Sequence, residues 1–133
     1  MQNRDLAKDY IKRAEIRLSA LEVLHDKESW ADVVREAQEA IELALKAMLR
    51  SHGIEIPRVH DVSRIIEDEQ ARLPKSLDLQ RLAAISKELR RDRELAFYGS
   101  EDLTPSEFYS RADGTRALEN AKYVVAQVKP FVT

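Results

Sequence analysis

The densest concentration of reactive groups in the chain is Arg90-Arg91-Asp92-Arg93-Glu94, with Tyr98 five residues after Arg93. Between positions 81 and 93, five basic residues (Arg81, Lys87, Arg90, Arg91, Arg93) stand against two acidic ones, Glu88 and Asp92. Guanidinium groups grip phosphate oxygens bidentately, and a tyrosine ring offers a stacking face to a base. That combination suits a nucleotide or an RNA phosphate. Leu82, Ile85 and Leu89 read as the inward stripe of a helix, and Arg93 takes the next step on it. A charge at the edge of a core is costly unless it is paired or opens into a cleft. The same residues also fit a solvated basic helix end favoured by the C-terminal dipole, with Arg93 bound to Glu36 or Glu39 of a neighbouring helix.

Other chemistry is sparse. The histidines are His25, His52 and His60, with no H-x-x-x-H pair, so the spacing implies no metal. His25 and His52 fall at the ends of two helices, and His60 precedes the candidate cap Asp61. Cysteine is absent, which removes thiolate nucleophiles, disulfides and Cys-type zinc sites. There is no Gly-rich phosphate loop, no G-x-S-x-G and no dense carboxylate cluster, so no cofactor is implied. Glu36, Glu39, Glu42 and Lys46 read as the outer face of the second helix, with Glu42 and Lys46 as an i,i+4 pair. Trp30 and Met48 read as core.

The elements that must position these groups are helical. The chain has 133 residues, 44% of them apolar, 35% charged and 6% aromatic, with seven Gly and Pro in all. The 16 Ala and 15 Leu outnumber the nine Val, eight Ile and three Thr, a balance that favours helix over strand. Too few turn residues are present for a sandwich or barrel, and there is too much apolar content for a disordered chain. The formal net charge of −2 offers nucleic acid no global attraction, so any attraction is local. The charged N-terminus resembles neither signal peptide nor anchor, no membrane span is expected, and the expected compartment is the cytoplasm.

Five segments carry helical patterns. The first helix runs from Arg4 to Leu24, with Leu6, Tyr10, Ala14, Leu18, Leu21 and Leu24 as its stripe. Ser29 caps the second, Trp30 to His52, whose seam is Trp30, Val34, Ala37, Ile41, Ala44 and Met48 and whose stop is Gly53. Asp61 caps a short helix from Val62 to Leu73, and Ser76 caps a fourth that continues to Phe97. Thr104-Pro105-Ser106-Glu107 is a capping box, and Asp113 re-caps a last helix striped by Leu118, Ala121, Val125 and Val128. The expectation is one all-α domain over residues 1–133. It is an antiparallel up-and-down bundle of four main helices plus one or two short ones.

Three segments also resemble a known family. Ala37-Gln38-Glu39-Ala40-Ile41-Glu42-Leu43-Ala44-Leu45-Lys46-Ala47-Met48-Leu49 is similar to the A-x-E-x-x-x-K-A-x-L helix of HEPN (higher eukaryotes and prokaryotes nucleotide-binding) domains. Gly53-Ile54-Glu55-Ile56-Pro57-Arg58-Val59-His60-Asp61-Val62 resembles their G-x-x-x-P-x-x-H-D-L stretch, and Arg93-Glu94-Leu95-Ala96-Phe97-Tyr98-Gly99 resembles R-x-x-A-x-Y-G. The resemblance spans nearly the whole chain. It implies a helical bundle, usually homodimeric through a face near the fourth helix, with a polar cleft at or beside the interface. Many members are RNA-cleaving toxins whose R-x(4–6)-H motif works without metal. Some pair with a small nucleotidyltransferase antitoxin that modifies a tyrosine near that motif. Here Tyr98 stands where the histidine would, and no histidine follows His60. A tyrosine, with a pKa near 10, is a poor base at neutral pH.

Three readings follow. The first is a homodimeric module that binds a nucleotide or RNA phosphate through Arg93, Arg90, Arg91 and Tyr98 and works with a separately encoded partner such as a nucleotidyltransferase. The second is a metal-independent ribonuclease toxin using Arg93 with a non-standard base, Tyr98 or His60. The third is a purely structural partner protein in which Arg93 is salt-bridged. The missing histidine favours the first and third over the second.

Overall fold

The structure, a computed structural model, describes residues 2–56, 61–98 and 104–132, with side chains throughout except at 2–3 and 90–98. In order come α1 (Gln2–Asp26), α2 (Trp30–Ser51), α3 (Val62–Asp68), α4 (Leu79–Tyr98), α5 (Pro105–Phe108) and α6 (Arg111–Val128). Single 3-10 turns, Gln70–Arg72 and Lys129–Phe131, follow α3 and α6, and there is no strand among the described residues. This is the expected all-α bundle.

Helix α2 lies at its centre, packed on α1, α4 and α6. Twelve of its 22 residues are buried, including the seam Val34, Ala37, Ile41, Ala44 and Met48. A helix apolar on so much of its circumference is stable only when enclosed. Ala37, Ala40, Ala44 and Ala47, all fully buried, let the neighbouring backbones come close. Gly53 ends the helix region with φ +72°, the left-handed conformation that glycine adopts without penalty. Arg72 reaches back to the carbonyls of His52 and Gly53, at 3.3 and 3.2 Å, and satisfies acceptors beyond the helix end.

Cross-helix pairs establish the directions. His25 meets Thr115, Glu22 pairs with Lys122 and Glu15 with Lys129, so α6 runs antiparallel to α1. Glu88 pairs with Arg116, and the Arg81 guanidinium lies 3.7 Å from the Tyr123 ring centroid, so α4 is antiparallel to α6. The long helices alternate in direction along the chain.

Five local expectations need correction. The buried line of α1 is Ala7, Ile11, Ala14 and Leu21, while Leu6 is exposed. Two i,i+4 lines compete here, and contact with α2 and α6 selects the one with smaller residues. Ser29 precedes α2 but makes no cap bond to the backbone; its hydroxyl donates to Asp32 instead. Helix α4 starts at Leu79, capped by Asp78 Oδ1 accepting from the Arg81 amide at 3.0 Å, not at Ser76. Leu77 is buried, and the turn that tucks it in (Leu77 N–H to Pro74 carbonyl, 3.2 Å) delays the helix. Ser110 caps α6, and Asp113 is the reciprocal partner of that capping box. The third helix also shortens to Val62–Asp68 before its 3-10 turn.

The expected caps at Asp61 and Thr104 are present. The Thr104 hydroxyl, then its backbone N–H, hydrogen-bond the Glu107 carboxylate and hold its pKa below the usual carboxylate range.

The tightest joint is where the α1–α2 turn meets α6. The Trp30 ring stands edge-on to His25, centroids 5.0 Å apart, and under the Arg111 guanidinium at 4.9 Å. Arg111 also pairs with Glu28. Gly114 is buried against the indole, and a Cβ there would lie 2.6 Å from Trp30 Cε3. Gly114→Ala gains up to about 1 kcal/mol of helix propensity, but overpacking a rigid ring costs roughly 1–3 kcal/mol. The expected net effect is a lower melting temperature by several degrees. The loss should shrink or reverse in a Trp30→Leu background. A Gly114→Ala protein that melts at or above the wild-type temperature contradicts this account.

Candidate functional site

The four site residues expected from sequence lie on the last turns of α4. The helix continues without a break to Tyr98, so Arg90, Arg91, Arg93 and Tyr98 occupy helical positions on one element. Their side chains lie outside the described part, as do residues Pro57 and His60. The helical register still fixes which line of α4 each of the four site residues occupies. Leu82, Ile85 and Leu89 are buried, and Arg93 is one turn beyond Leu89 on that inward line. Arg90 and Arg91 fall on neighbouring lines of the same helix. The fourth helix thus serves the core with its first three turns and brings Arg93 to the end of the same stripe, with Arg90 and Arg91 beside it.

The polar residues of α2 differ from the sequence expectation. Glu36, Glu39, Glu42 and Lys46 are half-buried rather than a solvated outer face, because α2 is enclosed by three helices. Glu36 pairs with Arg17 of α1, so one of the two carboxylates considered as partners for Arg93 already has a cation.

Sequence reading missed two buried polar residues that belong to this region. Gln38 is fully buried on α2, and its Nε2 donates to Glu42 Oε1 at 2.8 Å while its Oε1 has no partner. Ser86 of α4 is 1% exposed, and its hydroxyl is also unpartnered. Leu89 and Val34 line one small gap of about 50 Å³ between the helices. One turn from each, in antiparallel helices, Ser86 and Gln38 stand at about the same level. A signal for Gln38 was present: Ala31, Val34, Ile41 and Leu45 form a second buried line on α2, and Gln38 interrupts it. Ser86 gave no such signal, since serine is common on exposed helix faces.

Among the described residues, no three His, Asp or Glu side chains gather as a metal site, and no helix is long and apolar enough to cross a membrane. His25 Nε2 lies 2.8 Å from Thr115 Oγ1, and His52 Nδ1 lies 2.8 Å from the Met48 carbonyl oxygen. Both imidazoles therefore serve helix ends.

The family model for the HEPN domain matches residues 7–130 of the chain. The protein belongs to the HEPN domain family. A relative from Methanocaldococcus jannaschii, named "Putative toxin MJ1304", is 31% identical over 134 residues, covering 95% of this chain and 88% of its own. No solved structure matches the chain. In this HEPN domain the α2 run and the Arg93–Tyr98 segment lie on two helices packed against each other.

The buried amide yields a direct test. Gln38→Glu places a second carboxylate beside Glu42 at a fully buried position, which should cost about 2–4 kcal/mol at neutral pH. Gln38→Leu removes an unsatisfied acceptor at similar volume and should stay within about 1 kcal/mol of wild type. Urea denaturation distinguishes the two. Equal stability of both variants would show that water reaches position 38.

Proposed function

We propose that this HEPN domain binds a nucleotide or RNA phosphate through Arg93, supported by Arg90, Arg91 and Tyr98. We further propose that it acts in a toxin–antitoxin type system with a separately encoded partner such as a small nucleotidyltransferase. One observation carries the reading. Helix α4 runs without a break from a buried apolar stripe into Arg90, Arg91 and Arg93 inside a HEPN domain. The toxin name of the Methanocaldococcus relative supports the system type. Arginine suits the role because its fork pairs with phosphate bidentately and keeps its charge at any physiological pH.

The relative's name also supports a second reading, a ribonuclease toxin in which Arg93 acts with a non-standard base. Tyr98 stands in the window where the family's histidine would be. The binding module remains the preferred reading, because a tyrosine hydroxyl stays protonated at neutral pH.

The test is titration of a labelled single-stranded RNA, in EDTA, with wild type and Arg93→Ala. Loss of about 1–3 kcal/mol of affinity with little change in melting temperature is the expected result. A melting temperature more than about 10 °C lower would make Arg93 a structural ion-pair residue instead. RNA cleavage that disappears in Arg93→Ala would favour the ribonuclease reading.

The proposed module is a homodimer paired near α4, which would bring two arginine clusters to one groove. Light scattering at micromolar concentration should then report about twice the monomer mass of 15.3 kDa. A monomer mass contradicts the dimer.

A further inference from the structure

Along its outer side, α4 forms an open groove with α3 and the turn that follows. A cavity of about 400 Å³ is lined by Ile66, Glu67, Gln70, Leu79, Gln80 and Ala83. A second, of about 720 Å³, shares Glu67 and Gln80 with it and extends to Ala84, Lys87 and Glu88. Leu79 is half-buried and, with the buried Ile66 and Ala83 that line the same cavity, makes an apolar floor. Two primary amides stand over that floor. Gln70 Nε2 donates to the Glu67 carbonyl at 3.1 Å, which anchors the side chain and leaves Oε1 as an acceptor. Gln80 is exposed and keeps both its donor and its acceptor.

The charges of the groove are internally compensated. Lys87 pairs with Glu67 at 3.4 Å, and Glu88 pairs with Arg116 at 2.9 Å. A phosphate gains little here, because two carboxylates stand beside the available cation. An uncharged planar group with hydrogen-bonding edges gains more: an apolar floor for its face and amides for its rim. The cationic region begins one turn further along. Gln80, Ala84, Lys87 and Arg91 follow one another at i, i+4, i+7 and i+11 on a single line of α4, so the groove's own line reaches the arginine cluster. Ala84 and Arg91 are about 10 Å apart along the axis.

We infer that the α3–α4 groove seats an unstacked base of a single-stranded RNA whose phosphates lie on the arginine end of α4. This rests on the reading that α4 binds RNA phosphate, and it adds where the strand runs and what holds its base. Gln70 and Gln80 read the base edge, and Leu79 supports its face, with Ile66 and Ala83 packed as the apolar wall behind it. The groove is open along its length, which suits a strand passing through.

Fluorescence anisotropy of a labelled eight-nucleotide RNA, over a series of salt concentrations, tests the assignment. Gln80→Ala and Gln70→Ala should each weaken binding about fivefold to tenfold without changing the salt dependence, since a base contact releases no counterion. Arg91→Ala should weaken binding and flatten the salt slope. An oligonucleotide of abasic sites should bind wild type and Gln80→Ala equally. Both glutamines are exposed, so melting temperatures should match wild type. If RNA binds with Arg93 dependence yet neither glutamine variant nor base removal matters, the groove assignment is wrong while the phosphate reading stands. If AMP binds with Gln80 dependence and RNA binding ignores Gln80, the groove takes a free nucleotide and the strand path is overturned. If wild type binds no RNA at all, the phosphate reading itself fails and the groove assignment falls with it.

Discussion

The enclosure of α2 is the constraint on which the rest of the structure depends. A helix with twelve buried residues in 22 cannot sit on a surface, so α1, α4 and α6 must all pack against it. Burial of aliphatic side chains such as Ile41, Leu45, Met48 and Leu49 stabilises the fold by about 1.5–3 kcal/mol each. The alanines between them set how close the surrounding helices come. That closeness then determines the fate of every polar group on α2. Gln38 loses water entirely, and Glu36, Glu39 and Glu42 lose part of it.

Ion pairs contribute differently. Lys122–Glu22, Lys129–Glu15 and Arg116–Glu88 join the long helices, yet the cation in each remains about half or more exposed. Such pairs are worth about 0–1 kcal/mol. Their role is to select the register among arrangements that apolar contact alone would leave nearly equal. The Trp30 joint selects more sharply. An indole seated on a glycine admits one spacing between the α1–α2 turn and α6.

The proposed function rests on α4 having two duties. Its early turns contribute Leu82, Ile85 and Leu89 to the core, which anchors the helix and fixes the direction of its axis. Its late turns carry the arginines. A binding group on a rigid element loses less freedom when its ligand arrives than one on a loop. The α3–α4 groove lies on the outer side of the same helix, so one element positions both a neutral amide-lined channel and a cationic end.

How much of this was legible in the sequence varied with the range of the interaction. Helix content, the α2 seam, the Gly53 stop and the Thr104 capping box depend on residues within four or five positions of one another, and the sequence alone determined them. The family segments and the arginine cluster were equally visible, because each is a local run of residues. Other features were decided only by the tertiary structure. Which of two candidate stripes α1 buries depends on α2 and α6, and Leu6 against Ala7 cannot be resolved without them. The start of α4 moved from Ser76 to Leu79 because Leu77 is drawn into the core. The half-buried glutamates of α2 follow from neighbouring helices flanking what looks, on α2 alone, like an outer face. The α3–α4 groove needs two helices in register, and no run of residues encodes it. Local hydrogen bonding and periodicity can be read from the chain in order, whereas desolvation depends on which distant surfaces meet.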